Sequence, residues 1–156
     1  VEGPVIPRYG ADVPWWVRRG RFFEESRWPT GTRRPAAKSG NVLIARWLLD
    51  NGADPDAPAA LDRHGFGGHT PLFGCVVSQP YRVGLPVGDV FARLLLDRGA
   101  DPNARASLRK RLRFVEDETM HEYRDVTPLS WGERFHDQDW VNRAAMRAIA
   151  ERGGRA

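Results

Sequence analysis

The chain has 156 residues, of which 41% are hydrophobic and 28% are charged, so it can bury a core and has an ordinary globular composition. Its net charge of +4 comes entirely from residues 1–40, which carry eight Lys or Arg against four Asp or Glu, whereas residues 41–156 carry sixteen of each. A body without basic excess lacks the field that grips a phosphate backbone, which argues against a dedicated nucleic-acid-binding fold.

The cellular compartment is constrained by what the chain lacks. No apolar run approaches the roughly 20 residues of a membrane-spanning helix. The opening stretch VEGPVIPRYGADVPWW does not have the basic-then-apolar layout of a secretory signal. Cys75 is the only cysteine, so no internal disulfide can form and a reducing compartment is expected. The sequence therefore predicts a cytoplasmic protein with no membrane segment.

Residues 1–35 show no regular hydrophobic period. The stretch VPWWVRRGRFFEESRWPTGTRRP mixes Trp, Arg, Pro and Gly without the spacing of a helix or a strand. We predict an irregular N-terminal segment with a short helix near residues 15–23, and partial disorder is the alternative.

Two nearly identical decapeptides, LLDNGADPDA at 48–57 and LLDRGADPNA at 95–104, stand 47 residues apart. Apolar residues before each glycine follow the i, i+3, i+4 spacing of one helix face. Gly52 and Gly99 come where a helix takes a positive φ just past its last turn, and the proline that follows each prevents the helix from resuming. A weaker copy, AMRAIAERGG, stops at Gly153. These patterns predict helices at about 41–51, 88–98 and 140–152.

A second motif marks where helices begin. HTPLF and VTPLS place Thr70 and Thr127 directly before proline. Threonine is a good N-cap, and proline at the first helical position loses no hydrogen bond. We predict helices near 70–78 and 127–136, separated from the other helices by connections that contain Gly and Pro.

The longest connection, at about 104–126, divides by charge. A basic stretch, LRKRLRF, is followed by an acidic one, VEDE, and β-forming residues flank both. We predict an extended β-hairpin here. Two roles stay open for its basic strand: contact with RNA or an acidic protein, or pairing with its own acidic strand.

The Thr-Pro-Leu motifs, where helices begin, alternate along the chain with the GADP motifs, where the chain leaves a helix. Together they resemble ankyrin repeats over roughly residues 36–154. The resemblance implies a mostly α fold: an ankyrin-repeat solenoid of about three helix-turn-helix units over residues 36–156, with one inserted β-hairpin. The motif spacings exceed the period of about 33 residues of that family, so the loops are enlarged. Insertions in repeat proteins map to loops on one face, often the binding face.

In that family, the stacked units present a binding surface made by the first helices and the loop tips. The resemblance therefore implies a non-catalytic protein–protein interaction module that binds an unidentified protein through its concave first-helix face and inserted loops. Two placements of Trp131 remain open: exposed as an interface anchor, or packed under the hairpin. The implied exposed first-helix positions are Gly74, Val77, Ser78, Trp131, Arg134 and Phe135, with Arg111 and Arg113 as candidate contacts on the hairpin.

The alternative function is an enzyme or a nucleic-acid-binding accessory that uses the inserted basic hairpin and loop residues. Cys75 falls where the ankyrin motif has a small buried residue, so we expect a core position rather than a nucleophile. The four histidines lack the spacing of a zinc site, and we expect no metal and no cofactor. With so few units, uncovered repeat faces would favour self-association.

Overall fold

The computed structural model describes residues 45, 46, 48–77, 88–111 and 119–156. Predictions about the N-terminal segment 1–35, the connection 79–87, Ser78 and Arg113 lie outside these residues. Residues 45, 46 and 48–50 are helical, and this helix ends just before the first GADP motif. The remaining elements are α1 (Pro71–Val76), α2 (Val90–Asp97), β1 (Ala106–Lys110), β2 (His121–Val126), α3 (Pro128–Arg134), a 3₁₀ turn (Gln138–Trp140) and α4 (Arg143–Glu151).

Both predicted helix starts are confirmed. Thr70 and Thr127 precede α1 and α3 with extended backbone, and a proline occupies the first turn of each helix. At α3 the Thr127 side chain accepts the backbone N–H of Ser130, while the Ser130 hydroxyl accepts that of Thr127. This reciprocal pair satisfies two donors that a helix start otherwise leaves without a partner.

The three helix ends are also confirmed. Gly52, Gly99 and Gly153 have φ values of 90°, 88° and 86°, the left-handed backbone that glycine adopts without steric cost. At each end, the amide that follows the glycine donates back to a helix carbonyl five residues earlier, as from Ala100 to Leu95. The repeated decapeptide is therefore a repeated helix stop.

Ion pairs join these helix ends in chain order. Arg98, beside Gly99, pairs with Asp50, which stands two residues before Gly52. Arg152, beside Gly153, pairs in the same way with Asp97. The change from Asn51 in the first decapeptide to Arg98 in the second thus provides a bridge to the preceding helix end.

The loops after the helices are joined by equivalent hydrogen bonds. The backbone N–H of Asp101 donates to both carboxylate oxygens of Asp56, at 2.9 and 3.0 Å. The N–H of Arg155 donates to Asn103 Oδ1 at 2.8 Å. Asp56 and Asn103 are the other positions at which the decapeptides differ, and both perform the same role. These bonds hold the successive loops that follow the helices side by side.

The core lies between the helices. α2 packs against α4, and α3 packs against both α1 and α4. Cys75 is buried in this core, as predicted, and burial raises the pKa of its thiol far above the ordinary value. Three helices approach one another closely at Gly132, where an added Cβ would lie 2.6 Å from Val76 Cγ1 and 2.8 Å from Met146 Sδ.

The predicted β-hairpin is confirmed. β1 and β2 are antiparallel, with Leu108 opposite Tyr123 and Lys110 opposite His121. The pairing shifts between Ala106 and Leu108, where Asp125 takes a φ of 51°. Such a bulge bends a strand and increases its twist. Among the described residues, no helix has both the length and the apolar character needed to span a bilayer.

Candidate functional site

One side of the hairpin packs onto α3. The Tyr123 ring meets the Trp131 ring edge-on, with centroids 4.8 Å apart, and Phe135 lies 4.9 Å from Trp131. Trp131 is 6% exposed and Phe135 is 2% exposed. The expectation that both side chains are exposed is therefore wrong, because the hairpin folds back over them. The alternative placement of Trp131, under the hairpin, is confirmed.

Polar and stacking contacts join β2 to His136, which lies just after the end of α3. The backbone N–H of His136 donates to the Tyr123 hydroxyl at 2.9 Å, and His136 Nδ1 lies 2.6 Å from the same oxygen. The His136 ring stacks on His121, with centroids 3.7 Å apart and planes 5° from parallel. Strand β2 is thus anchored by aromatic contacts at Tyr123 and by imidazole stacking at His121.

The loop between the first helix end and α1 has an ordered fold of its own. The Asp62 carboxylate accepts the backbone N–H groups of His64 and Phe66, at 2.7 and 3.1 Å. The hydrogen bond from Phe66 contributes most to lowering the pKa of Asp62, and the bond from His64 lowers it further. At Gly67 a Cβ would lie 2.2 Å from the carbonyl oxygen of Ala60, so only glycine fits. The Gly-rich stretch HGFGGH therefore encodes a tight loop.

This loop docks on the hairpin. The Gly67 N–H donates to the Ser107 carbonyl at 2.8 Å, forming a bridge beside β1. The buried Phe66 ring lies beneath two guanidinium groups, with Arg109 Cζ at 5.2 Å and Arg124 Cζ at 4.5 Å from its centroid. Such arginine–aromatic contacts are attractive. Residues 53–69 and the hairpin together form what we call the loop–hairpin layer.

Arginines of the hairpin pair with acids outside the acidic run VEDE. Arg109 bonds to Asp62 at 2.6 Å. Arg105 makes two bonds of 2.7 Å to the carboxylate of Asp125, and this guanidinium lowers the pKa of Asp125. The Arg105–Asp125 pair is largely exposed and the Arg109–Asp62 pair is partly exposed, so solvent screens both and each contributes little to stability. They fix the orientation of the arginine side chains.

The remaining predicted contacts have mixed exposure. Val77 is half-buried and forms an isolated bridge with Val141, whereas Arg134 is exposed. Both are the seventh residue after a Thr cap: Val77 directly follows α1 and Arg134 is the last residue of α3. These two helices are packed together. Arg111 is exposed just beyond β1, and Gly74 is half-buried. The binding roles of these residues stay predictions.

Sequence reasoning assigned no role to three residues of the loop–hairpin layer, which are Phe66, Leu61 and Arg124. The sequence feature that could have indicated an ordered loop is the pair of glycines that follows Phe66, because consecutive glycines also mark tight turns.

Among the described side chains, no group of three or more His, Cys, Asp or Glu could hold a metal ion.

A family model described as Ankyrin repeat matches residues 36–60, which include the first helix end and the loop that contains Asp56. Searches of curated proteins and of solved structures gave no significant match. The match lies on one of the two decapeptides, and the second shares its helix stop and its inter-loop hydrogen bonds. The family match supports the conclusion that this chain resembles an ankyrin-repeat protein.

Proposed function

We propose that the chain is a non-catalytic protein–protein interaction module in which residues 36–156 form a solenoid of about three ankyrin-like units. The observation that carries this proposal is the repeated set of contacts between helix ends, in which Asp50 and Asp97 pair with arginines of the next helix. Ankyrin repeats generally mediate protein–protein interaction. Units joined in this way offer a continuous surface made by neighbouring first helices and loops.

The partner surface we propose combines the first-helix positions Val77 and Arg134 with Arg111 of the hairpin. Trp131 and Phe135 support this surface from below, because their burial against Tyr123 keeps the hairpin in place. A rigid surface loses little conformational entropy on binding, which favours affinity. The single cysteine, buried and outside any disulfide, supports a cytoplasmic location.

An affinity capture with charge-reversal variants tests the proposal. The full chain is immobilised and exposed to a lysate of its source cells, in parallel with the double variant Arg111→Glu/Arg134→Glu. Arg147→Glu is the matched control, because Arg147 is also exposed but lies on α4. We expect a stoichiometric protein partner with the wild type and with the control, and its loss with the double variant.

Circular dichroism of all three proteins shows whether the substitutions preserve the fold. Equal capture by the double variant and the wild type would refute the assigned surface. The absence of any stoichiometric protein would refute the function itself. Turnover of a substrate by the purified chain would favour the enzymatic alternative.

A further inference from the structure

We propose that the stacked imidazoles of His121 and His136 form an acid-sensitive latch, which holds the hairpin on α3 at neutral pH and releases it when both rings carry a proton. This inference goes beyond the proposed function and does not depend on it. Histidine is the side chain whose charge ordinarily changes between about pH 5 and 8. A released hairpin would uncover Trp131 and Phe135, which it now buries.

The two rings of the latch belong to different elements of the fold. His121 is the first residue of β2, whereas His136 lies just after the end of α3. Their centroids are 3.7 Å apart and their planes are nearly parallel. Two neutral rings attract each other in this arrangement, and so do one imidazolium and one neutral ring. Two imidazolium ions at this separation repel each other, so the closed hairpin accepts one proton at the pair but disfavours the second.

The His136 ring cannot turn away to relieve this repulsion, because Tyr123 fixes its position. The Tyr123 hydroxyl oxygen lies 2.6 Å from His136 Nδ1 and accepts the backbone N–H of His136 at 2.9 Å. Tyr123 is itself only 5% exposed and meets the Trp131 ring edge-on. His136 Nε2 is buried, so water screens a charge on this ring poorly. The second charge is therefore relieved by separation of β2 from the end of α3.

Charged groups on the neighbouring elements do not remove the repulsion. Lys110, which lies opposite His121 in the strand register, is itself a cation. Glu122, beside His121, is bonded to Arg124 at 3.1 Å, so a guanidinium already neutralises it. The other charged or titratable groups of the loop, of α3, of the turn after it and of the start of α4 are His69, Glu133, Arg134, Asp137, Asp139 and Arg143. Their Asp, Glu, Lys and Arg charges balance, so the contact between the two rings decides the response to pH.

The direction and the size of the effect follow from the number of protons bound. A histidine freed from the stack takes up its proton near about pH 6.5, whereas the closed pair takes its second proton only at lower pH. As the pH falls through this value, the open state binds more protons than the closed state, and the closed state loses stability. One proton that the closed state excludes raises the ratio of open to closed molecules about tenfold between pH 7.5 and 5.5.

Amide hydrogen exchange followed by NMR on the full chain tests the latch, because the His136 N–H is itself bonded to the Tyr123 hydroxyl. The measured exchange rate is divided by the intrinsic rate at each pH, which gives the protection of that amide. We expect the protection of the His136 amide to fall about tenfold between pH 7.5 and 5.5. The Ala100 amide, which donates to the Leu95 carbonyl at the end of α2, reports opening elsewhere in the fold, and its protection should fall by less.

Substitutions separate the stack from the other titrating groups. His121→Phe keeps a flat ring against His136 but cannot take a charge, so the protection of His136 should change by less than about twofold over the same pH range. His121→Gln also removes the charge and gives a second reading. His64→Phe is the matched control and should keep the full fall, because His64 is exposed on the loop. Circular dichroism at neutral pH checks that each variant folds.

Three results would each overturn the latch. These are a constant protection of the His136 amide, an equal fall at His136 and Ala100, and a full fall that persists in both variants of His121. Each of them would leave the proposed function standing, because the affinity capture tests the closed hairpin.

Discussion

Asn142 links α4 to the rest of the fold, and its replacement gives the sharpest test of the packing. The side chain is 1% exposed. Its Oδ1 accepts the N–H of Ala145 at 3.1 Å, which caps α4, and its Nδ2 donates to the Gly88 carbonyl at 3.1 Å. The Asn142→Ala substitution removes both bonds, whereas Asn142→Ser keeps an oxygen able to cap the helix.

The expected losses follow from these two bonds. A lost N-cap costs about 1 kcal/mol, and a lost hydrogen bond to a carbonyl that water can reach costs about 1 kcal/mol. Gly88 is exposed, so water can replace the amide there. We therefore expect Asn142→Ala to lower the free energy of unfolding by about 2 kcal/mol. Asn142→Ser should lower it by about 1 kcal/mol, because only the second bond is lost.

Urea denaturation followed by tryptophan fluorescence measures both variants against the wild type. A thermal scan gives a second reading, since 2 kcal/mol corresponds to a fall in Tm of about 4–8 °C for a chain of this size. Equal destabilisation by alanine and serine would show that the cap contributes nothing. A loss below about 0.5 kcal/mol for alanine would refute the reasoning on burial, since exposed sites typically show losses of that size.

Two further substitutions test the core and the loop. Gly132→Ala should lower the free energy of unfolding by about 1 kcal/mol in urea denaturation, because overpacking against Val76 and Met146 outweighs the better helix propensity of alanine; a stabilised variant would contradict the close approach. Burial, and to a lesser extent Lys110, lowers the pKa of His69 in the folded state. As the pH falls through about 6.5, the unfolded state therefore binds more protons and the wild type loses stability, whereas His69→Gln should lose less between pH 7.5 and 5.5. Parallel pH profiles of the urea midpoint for these two proteins would argue against the burial of His69.

The burial of Trp131 shows where sequence reasoning about the site reached its limit. Its place in α3 followed from the Thr127 cap, but two environments remained open for its side chain. Which one it occupies depends on a hairpin that folds back along the helix and brings Tyr123 to its ring. The strand propensities predicted the hairpin but contained no information about the direction in which it lies. The loop of Phe66 was missed for a related reason, since its partners Arg109 and Arg124 are distant in the chain.

The sequence by itself determined two helix starts and three helix ends. Thr70 and Thr127 act as caps, and Gly52, Gly99 and Gly153 adopt positive φ, because these preferences depend on the residue and its immediate neighbours. Only the tertiary structure decided which surface is exposed. The hairpin buries Trp131 and Phe135, and the docked loop leaves Leu61 outside, because these outcomes depend on contacts between segments far apart in the chain.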